Sequence, residues 1–182
     1  MLNINCSWTT NASGSIAPTA LVQVSLVGPS LSPVTSRQGV VVKPDASIQD
    51  DVQYDLVVLP AGVDTTQTLD FVKTVVAHGG SVMSVCTGAA IPAKLGLLDG
   101  KQATSNSLFL WRLQKNYPSV HWVSLRGNLK QRFLVSVPPL RVVTTAGVTA
   151  GIDGALHFVR SWCGNDVAEA TRELLEWPLP LE

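Results

Sequence analysis

The chain has 182 residues, of which 46% are hydrophobic and 14% charged, and its formal net charge is zero. This length and composition predict one ordinary domain with a sizeable buried core. A neutral chain without a lysine or arginine cluster argues against nucleic acid as the main partner, and no apolar run reaches the roughly 18 residues of a membrane span.

The cysteines and histidines indicate neither a disulfide framework nor a metal site. Cys6, Cys86 and Cys163 are few and odd in number, which is typical of a reducing compartment. The first twenty residues lack a basic start followed by an apolar core, so we expect no signal peptide and a cytoplasmic location. The three histidines are scattered, and we expect no metal and no cofactor.

Short apolar runs alternate with helix-like segments along the chain, a pattern typical of an α/β fold with a parallel sheet. The predicted strands are 21–27, 54–60, 81–85 and 142–145. The predicted helices are 65–77, 87–95, 107–116, 149–163 and 167–176. The fourth helix should bury Ile152, Leu156 and Val159, and Asn165 or Asp166 should cap the last one, with Glu169 completing a capping box.

The third predicted strand ends abruptly at Cys86, which the small residues Gly88 and Ala89 soon follow. This layout predicts a nucleophile elbow, a sharp strand-to-helix turn that exposes one side chain. The thiolate is the reactive form of cysteine, and a helix N-terminus favours it. Backbone N–H groups of the same turn can receive an oxyanion. The alternative interpretation is a buried structural cysteine at the end of a core strand.

Three blocks, at residues 54–62, 84–104 and 144–153, resemble the ThiJ/PfpI superfamily, also called the DJ-one family. The similar branch holds isonitrile hydratases and the ligand domains of certain transcription regulators. The resemblance covers roughly residues 21–125 and 140–177. We therefore expect a single domain over 21–182, preceded by an atypical segment at 1–20.

The resemblance implies a flavodoxin-like three-layer sandwich with a mostly parallel sheet, related to class I glutamine amidotransferases, and a homodimer that binds a small molecule. It makes Cys86 the nucleophile and places the backbone of Thr87 and Gly88 at the oxyanion. Gly62 would supply a further N–H group, although a glycine after Pro60 can equally be an ordinary turn residue.

Two further positions carry over from the resemblance. Asn106 stands where many relatives have a histidine, so it can orient substrate or water but cannot act as a base near neutral pH. Thr149 opens the helix of the third block, where an N-cap role is the alternative to substrate binding. Asp153, one turn later, is interpreted as structural.

The first departure from the family concerns the N-terminus, where relatives have a strand and a helix with an acidic residue that serves the nucleophile. No Asp or Glu precedes Asp45 in this chain. Residues 2–8 alternate apolar and polar, but 9–20 are a poor crossover helix. We expect the segment to be irregular or an edge strand, and not to replace the missing strand-helix unit.

The second departure is residues 126–139, where relatives have a short turn, and where 133–137 predict an extra strand. We interpret both departures as an altered gene model or divergent splicing, which transcript sequencing through both regions tests.

Three hypotheses for function follow. The first is hydration of an isonitrile to an N-substituted formamide, impaired to the extent that the missing acid matters. The second is a non-catalytic ligand-binding, regulatory or stress protein of the same fold. The third is another cysteine-dependent hydrolase or glyoxalase-type activity, against which Asn106 counts because hydrolytic relatives pair cysteine with histidine.

Overall fold

The computed structural model describes residues 2–4, 9–10, 16–17, 22–36, 38–62, 65–128, 130–136 and 142–178. Its strands are β1 (Leu2–Ile4), β2 (Thr9–Thr10), β3 (Ile16–Ala17), β4 (Val22–Val24), β5 (Val27–Gly28), β6 (Val34–Thr35), β7 (Val41–Val42), β8 (Ala46–Ser47), β9 (Leu56–Leu59), β10 (Ser81–Val85), β11 (Gln102–Ala103), β12 (His121–Trp122), β13 (Phe133–Ser136) and β14 (Val142–Thr145). Its helices are α1 (Thr66–Ala77), α2 (Ala90–Lys94), α3 (Leu110–Asn116), α4 (Ala150–Cys163) and α5 (Asn165–Leu174), with a 3-10 turn at Cys86–Ala89.

The main sheet has six strands in the order β13-β14-β10-β9-β1-β4. Its centre is parallel, because β10 pairs in parallel with both β9 and β14. The flanking strands β13, β1 and β4 are antiparallel to their neighbours. The predicted α/β class is confirmed, and the sheet is mixed, with the parallel strands at its middle.

Side chains of the central strands alternate between two hydrophobic clusters, as the period of two along a strand requires. Val57 and Val82 pack on one face with residues of α1 and α2. Leu56 and Met83 pack on the other face with Phe158 of α4. Helices therefore cover both faces of the sheet, which makes the three layers of the expected sandwich.

The N-terminal strand differs from its prediction. β1 lies inside the sheet, between β9 and β4, so the expectation of an irregular segment or an edge strand is wrong. Leu56 of β9 is fully buried, and a buried strand needs backbone partners on both sides. An antiparallel strand supplies that partner without the crossover helix that a parallel strand requires.

The strand predicted over 21–27 is divided in the structure. Residues 22–24 form β4 at the edge of the main sheet, whereas β5 pairs with β8 in a separate two-stranded sheet. The Asp45 carboxylate accepts a hydrogen bond from the backbone N–H of Leu26, at 2.9 Å, between these two strands. This contact anchors the loop that carries the first acidic residue of the chain.

The two C-terminal helices correct smaller predictions. α5 begins at Asn165 with Gly164 at the N-cap and without a side-chain cap, so the capping box is wrong. The Glu169 carboxylate instead accepts from Arg172 Nε at 2.6 Å. In α4, Leu156 is buried as predicted, whereas Ile152 and Val159 are only half-buried. Gly154 and Phe158 are buried instead, since α4 approaches the sheet closely. A Cβ at Gly154 would lie 2.7 Å from a methyl carbon of Thr145.

Cys86 is a free cysteine, whereas Cys163 at the end of α4 is disulfide-bonded. The cysteine count did not predict this bond. Within the described residues, no helix combines the length and apolarity needed to span a bilayer.

Candidate active site

Cys86 follows the last residue of β10 with a φ of 58°, in the left-handed region that non-glycine residues rarely adopt. This conformation costs roughly 1–2 kcal/mol in an L-residue, so surrounding contacts must impose it. The chain then continues through the 3-10 turn Cys86–Ala89 into α2. The predicted strand-to-helix elbow is therefore formed, and Cys86 is the residue at its apex.

Two contacts hold the elbow. Gly88 packs directly on the end of β9, where a Cβ would overlap the carbonyl oxygen of Leu59, so only glycine fits. The buried Ser105 hydroxyl donates to the carbonyl oxygen of Cys86 at 2.7 Å. The packing of Gly88 on β9 fixes the position of the turn. The hydrogen bond from Ser105 fixes the peptide carbonyl of Cys86.

Threonines of β14 connect the elbow to the segment after β11. The Thr145 hydroxyl donates to the carbonyl oxygen of Ser84 at 3.1 Å. The Thr144 hydroxyl oxygen accepts from the backbone N–H of Thr104 at 3.0 Å. All four residues are buried. The loops after β10, β11 and β14 therefore meet at one edge of the sheet.

A cavity of ≈ 290 Å³ opens at this edge. Its lining residues are Asn106, Ser107, Leu108, Arg126, Ala146 and Gly147. Cys86 is not one of them, but two of the lining residues directly follow residues that contact the elbow or the strand before it. Asn106 follows the serine that bonds the Cys86 carbonyl, and Ala146 follows Thr145, the register partner of Val85.

Asn106 is held in one orientation within the cavity wall. Its Oδ1 accepts from the backbone N–H of Leu108 at 3.0 Å. Because a backbone N–H only donates, the atom facing it must be the oxygen, and the Nδ2 amide hydrogens are left for other partners. The predicted substrate-orienting residue is thus placed beside the elbow, and its role stays a proposal.

Arg126 is a cavity residue that the sequence analysis did not single out. It opens the segment 126–139, which departs from the family pattern. This position was the only signal in the sequence that could have pointed to Arg126. Arg126 is exposed and lines the cavity together with Asn106.

Thr149 lies at the start of α4 but does not cap it. Its backbone is helical and its side chain makes no capping bond, so the N-cap interpretation is wrong. Instead its hydroxyl oxygen accepts from Arg132 Nη1 at 2.9 Å, and Arg132 Nη2 donates to its carbonyl oxygen at 3.1 Å. Substrate binding by Thr149 stays a prediction, and its hydroxyl oxygen already accepts from Arg132.

Asp153 has the structural position that was expected. It forms an ion pair with Arg132, and its Oδ1 accepts from Trp177 Nε1 at 2.9 Å. The Arg132 guanidinium also lies over the Trp177 ring, 5.1 Å from the centroid. These contacts join the extra strand β13, which was predicted from the sequence and is confirmed, to α4 and the C-terminal segment.

The remaining predicted residues lie on nearby loops. Thr87 and Gly88 follow Cys86 within the same turn. Gly62 has a φ of +85° in the exposed turn after β9, as an ordinary turn glycine would. The structure thus joins Cys86, Thr87, Gly88 and Asn106, and keeps Gly62 and Thr149 on separate loops.

None of the histidines takes part in the elbow contacts described above. His78 Nδ1 pairs with the Thr74 carbonyl at 2.9 Å, His121 is exposed on β12, and the ring of His157 packs on Phe133 and Phe158. In the part of the chain that the structure describes, no group of three or more His, Cys, Asp or Glu is arranged to hold a metal ion.

Fold and elbow together define a three-layer α/β protein with a cysteine at the turn after a central parallel strand. The sequence profile of the DJ-1/PfpI family matches residues 11–161, and the chain belongs to that family. A crystal structure of a ThiJ/PfpI family protein from Pseudomonas syringae superposes with a TM-score of 0.67 at 27% identity, over 86% of this chain and 63% of that one.

Relatives in sequence have different functions. Isonitrile hydratase of Pseudomonas putida is 33% identical over 166 residues, which span 87% of this chain and 68% of that enzyme. The HTH-type transcriptional regulator GbdR of Pseudomonas aeruginosa is 28% identical over 146 residues, which span 78% of this chain and 37% of the regulator. Protein DJ-1alpha of Drosophila melanogaster is 25% identical, with 66% of its length spanned.

Proposed function

We propose that this protein is a cysteine-dependent enzyme that adds water to an isonitrile and releases an N-substituted formamide. The observation that carries the proposal is Cys86 at φ 58°, a strained cysteine at the apex of an elbow beside a cavity. Backbone strain of this kind is retained where function requires it. The 33% identity to an isonitrile hydratase supports the choice of reaction.

In the proposed reaction, the Cys86 thiolate attacks the terminal isonitrile carbon and forms an S–C bond. The carbon takes a proton from water, giving a thioimidate. A water molecule then adds to the C=N bond, and the resulting tetrahedral adduct expels the thiolate as the formamide forms. We expect the backbone N–H groups of Thr87 and Gly88, which follow Cys86 in the same turn, to stabilise charge in this adduct.

The experiment is to incubate the protein with cyclohexyl isonitrile and follow the formamide by mass spectrometry. We expect product from the wild-type protein and none from Cys86→Ser, whose hydroxyl is a far weaker nucleophile than a thiolate. Ser105→Ala is the graded variant, because it removes the bond to the Cys86 carbonyl and leaves the thiol. Product formation that does not depend on Cys86 would contradict the proposal.

A second candidate is a ligand-binding domain without catalysis. The likeness to the regulator GbdR supports it, because the matched region is only 37% of that protein. A domain of this kind would bind a small molecule in the same cavity and leave it unchanged. Ligand-dependent thermal stabilisation without turnover, unaltered in Cys86→Ser, distinguishes this candidate from the enzyme.

We also propose that the protein assembles as a homodimer. The hairpin of β6 and β7 exposes Val34, Val41 and Val42, and contiguous exposed apolar residues are typical of association sites. Light scattering after size exclusion measures the mass directly. A monomeric mass at micromolar concentration would overturn this part of the proposal.

A further inference from the structure

Arg126 is the charged member of the six residues that line the cavity beside the elbow. No Asp or Glu is among those six, so nothing in the lining neutralises it. Among the described residues, Arg126 makes no ion pair and no hydrogen bond. An unpaired guanidinium facing a cavity is available for an anionic ligand, and its planar fork matches a carboxylate in two parallel hydrogen bonds.

Asn106 adds donors of the same kind. Its Oδ1 is occupied by the backbone N–H of Leu108, so its Nδ2 hydrogens are the polar groups left for a ligand. Ser107 is already engaged, because its hydroxyl pairs with that of Ser124 at 3.2 Å. The free polar side-chain groups of the lining are therefore donors, which favour a ligand that accepts.

The rest of the lining is apolar. Leu108, Ala146 and Gly147 offer hydrocarbon and backbone surface, and Leu108 is 67% exposed. A volume of ≈ 290 Å³ lies just below the usual range for small-molecule sites, so the cavity accommodates a short ligand. The chemistry matches a carboxylate separated by a few carbons from the group that reacts at Cys86.

We infer that the cavity binds the carboxylate of a small anionic substrate through Arg126 and Asn106 Nδ2, and so presents the reactive end of that substrate to Cys86. The substrate class is then a carboxylate-bearing isonitrile. The isonitrile half of this statement rests on the proposed function, whereas the carboxylate half rests on the cavity alone.

The carboxylate site is tested by alkylation of Cys86 with iodoacetate and with iodoacetamide, which differ in charge and little in size. In both, the thiolate displaces iodide, and mass spectrometry of the Cys86 peptide gives each rate. We expect the ratio of the iodoacetate rate to the iodoacetamide rate to fall on the order of tenfold in Arg126→Gln, as for loss of a charged hydrogen bond. Arg126→Lys should keep an intermediate ratio, because it retains the charge without the fork.

Arg112→Gln is the matched control, since Arg112 is an exposed arginine on α3 outside the cavity lining. At physiological ionic strength the screening length is about 8 Å, so a general loss of surface charge has little effect. An unchanged ratio in Arg126→Gln, or an equal fall in Arg112→Gln, overturns the inference. Both variants should melt like the wild type.

Turnover tests the substrate class separately. We expect 3-isocyanopropanoate to have a lower KM than its methyl ester in the wild type, and the ratio of the two KM values to approach one in Arg126→Gln. Equal KM values in the wild type overturn the proposed substrate class. If neither compound is hydrated but the alkylation ratio still depends on Arg126, the isonitrile function fails and the carboxylate site stands.

Discussion

Two strand-to-helix turns lie side by side at the carboxyl edge of the sheet, after β10 and after β14, and different forces hold them. The elbow at Cys86 is fixed by close packing and by one neutral hydrogen bond from Ser105. The start of α4 is fixed by the charged Arg132, which contacts Thr149 and Asp153. Packing holds the strained cysteine, and an ion pair holds the start of α4.

This difference shows that the chain combines a turn that resembles the family with a segment that departs from it. The elbow residues belong to a block that resembles the family, whereas Arg132 comes from the segment 126–139 that departs from it. Substitutions that remove each type of contact should therefore separate loss of stability from loss of reactivity.

The largest effect on stability is expected for Asp153→Asn. It leaves the mostly buried Arg132 guanidinium, 17% exposed, without its counter-ion, which should lower the free energy of unfolding by about 3 kcal/mol. Glu169→Gln is the matched control, because the Glu169–Arg172 pair is more exposed and should contribute below about 1 kcal/mol. Urea denaturation measures the free energy of unfolding of both variants. Equal losses would contradict the conclusion that the Arg132–Asp153 ion pair holds the start of α4.

Gly88→Ala tests the packing of the elbow. The added Cβ overlaps the Leu59 carbonyl, so the turn must shift, at a cost of about 1–3 kcal/mol. Gly147→Ala is the control, since a Cβ there meets nothing within 4 Å. Thermal melts compare the two variants. A Gly88→Ala protein as stable as Gly147→Ala would show that close approach to β9 does not fix the elbow.

A smaller effect isolates the strain at Cys86. Cys86→Gly and Cys86→Ala both remove the thiol, but only glycine adopts φ 58° without a steric cost. We expect the glycine variant to be more stable than the alanine variant by about 1 kcal/mol. The reverse order in urea denaturation, which ordinary glycine flexibility would give, would contradict a strained elbow.

The smallest effect is expected far from both turns, at Tyr54. Burial, with a further contribution from the Asp50 carboxylate, raises the pKa of Tyr54 above its ordinary value of 10.0. Above pH 10.0 the unfolded chain ionises first while the folded one keeps its proton, so stability falls as pH rises. Tyr54→Phe should weaken this decline and leave the pH dependence around neutrality unchanged. An identical decline in both proteins, measured by urea denaturation between pH 9 and 11, would contradict the raised pKa of Tyr54.

The sequence was most informative where a local pattern and the tertiary environment agree. The run 81–85 is buried almost throughout and ends at a cysteine followed by small residues, and the strand and elbow form as predicted. The segment 66–77 has its apolar residues at helical spacing after Thr65, whose hydroxyl oxygen accepts from the Thr68 N–H and caps α1 as the N-cap rule requires.

Prediction failed where several partners compete for one residue. Thr149 has the residue type of an N-cap, but Arg132 occupies its hydroxyl. Glu169 has the spacing of a capping box, but Arg172 binds it. Arg132 reaches Thr149 only after the chain has folded, and Arg172 lies on the same helix face as Glu169. Sequence spacing alone does not show which of several possible partners a side chain will bind.

The sequence by itself determined the α/β class, the family and the position of the nucleophile candidate, because hydrophobic periodicity and the residues of a tight turn act over short stretches of chain. Tertiary structure decided the rest. It placed β1 inside the sheet, brought Asn106 and Arg126 together in one cavity, and joined Arg132 to α4. These contacts link segments about 20 or more residues apart, and their geometry follows from how the sheet and helices pack.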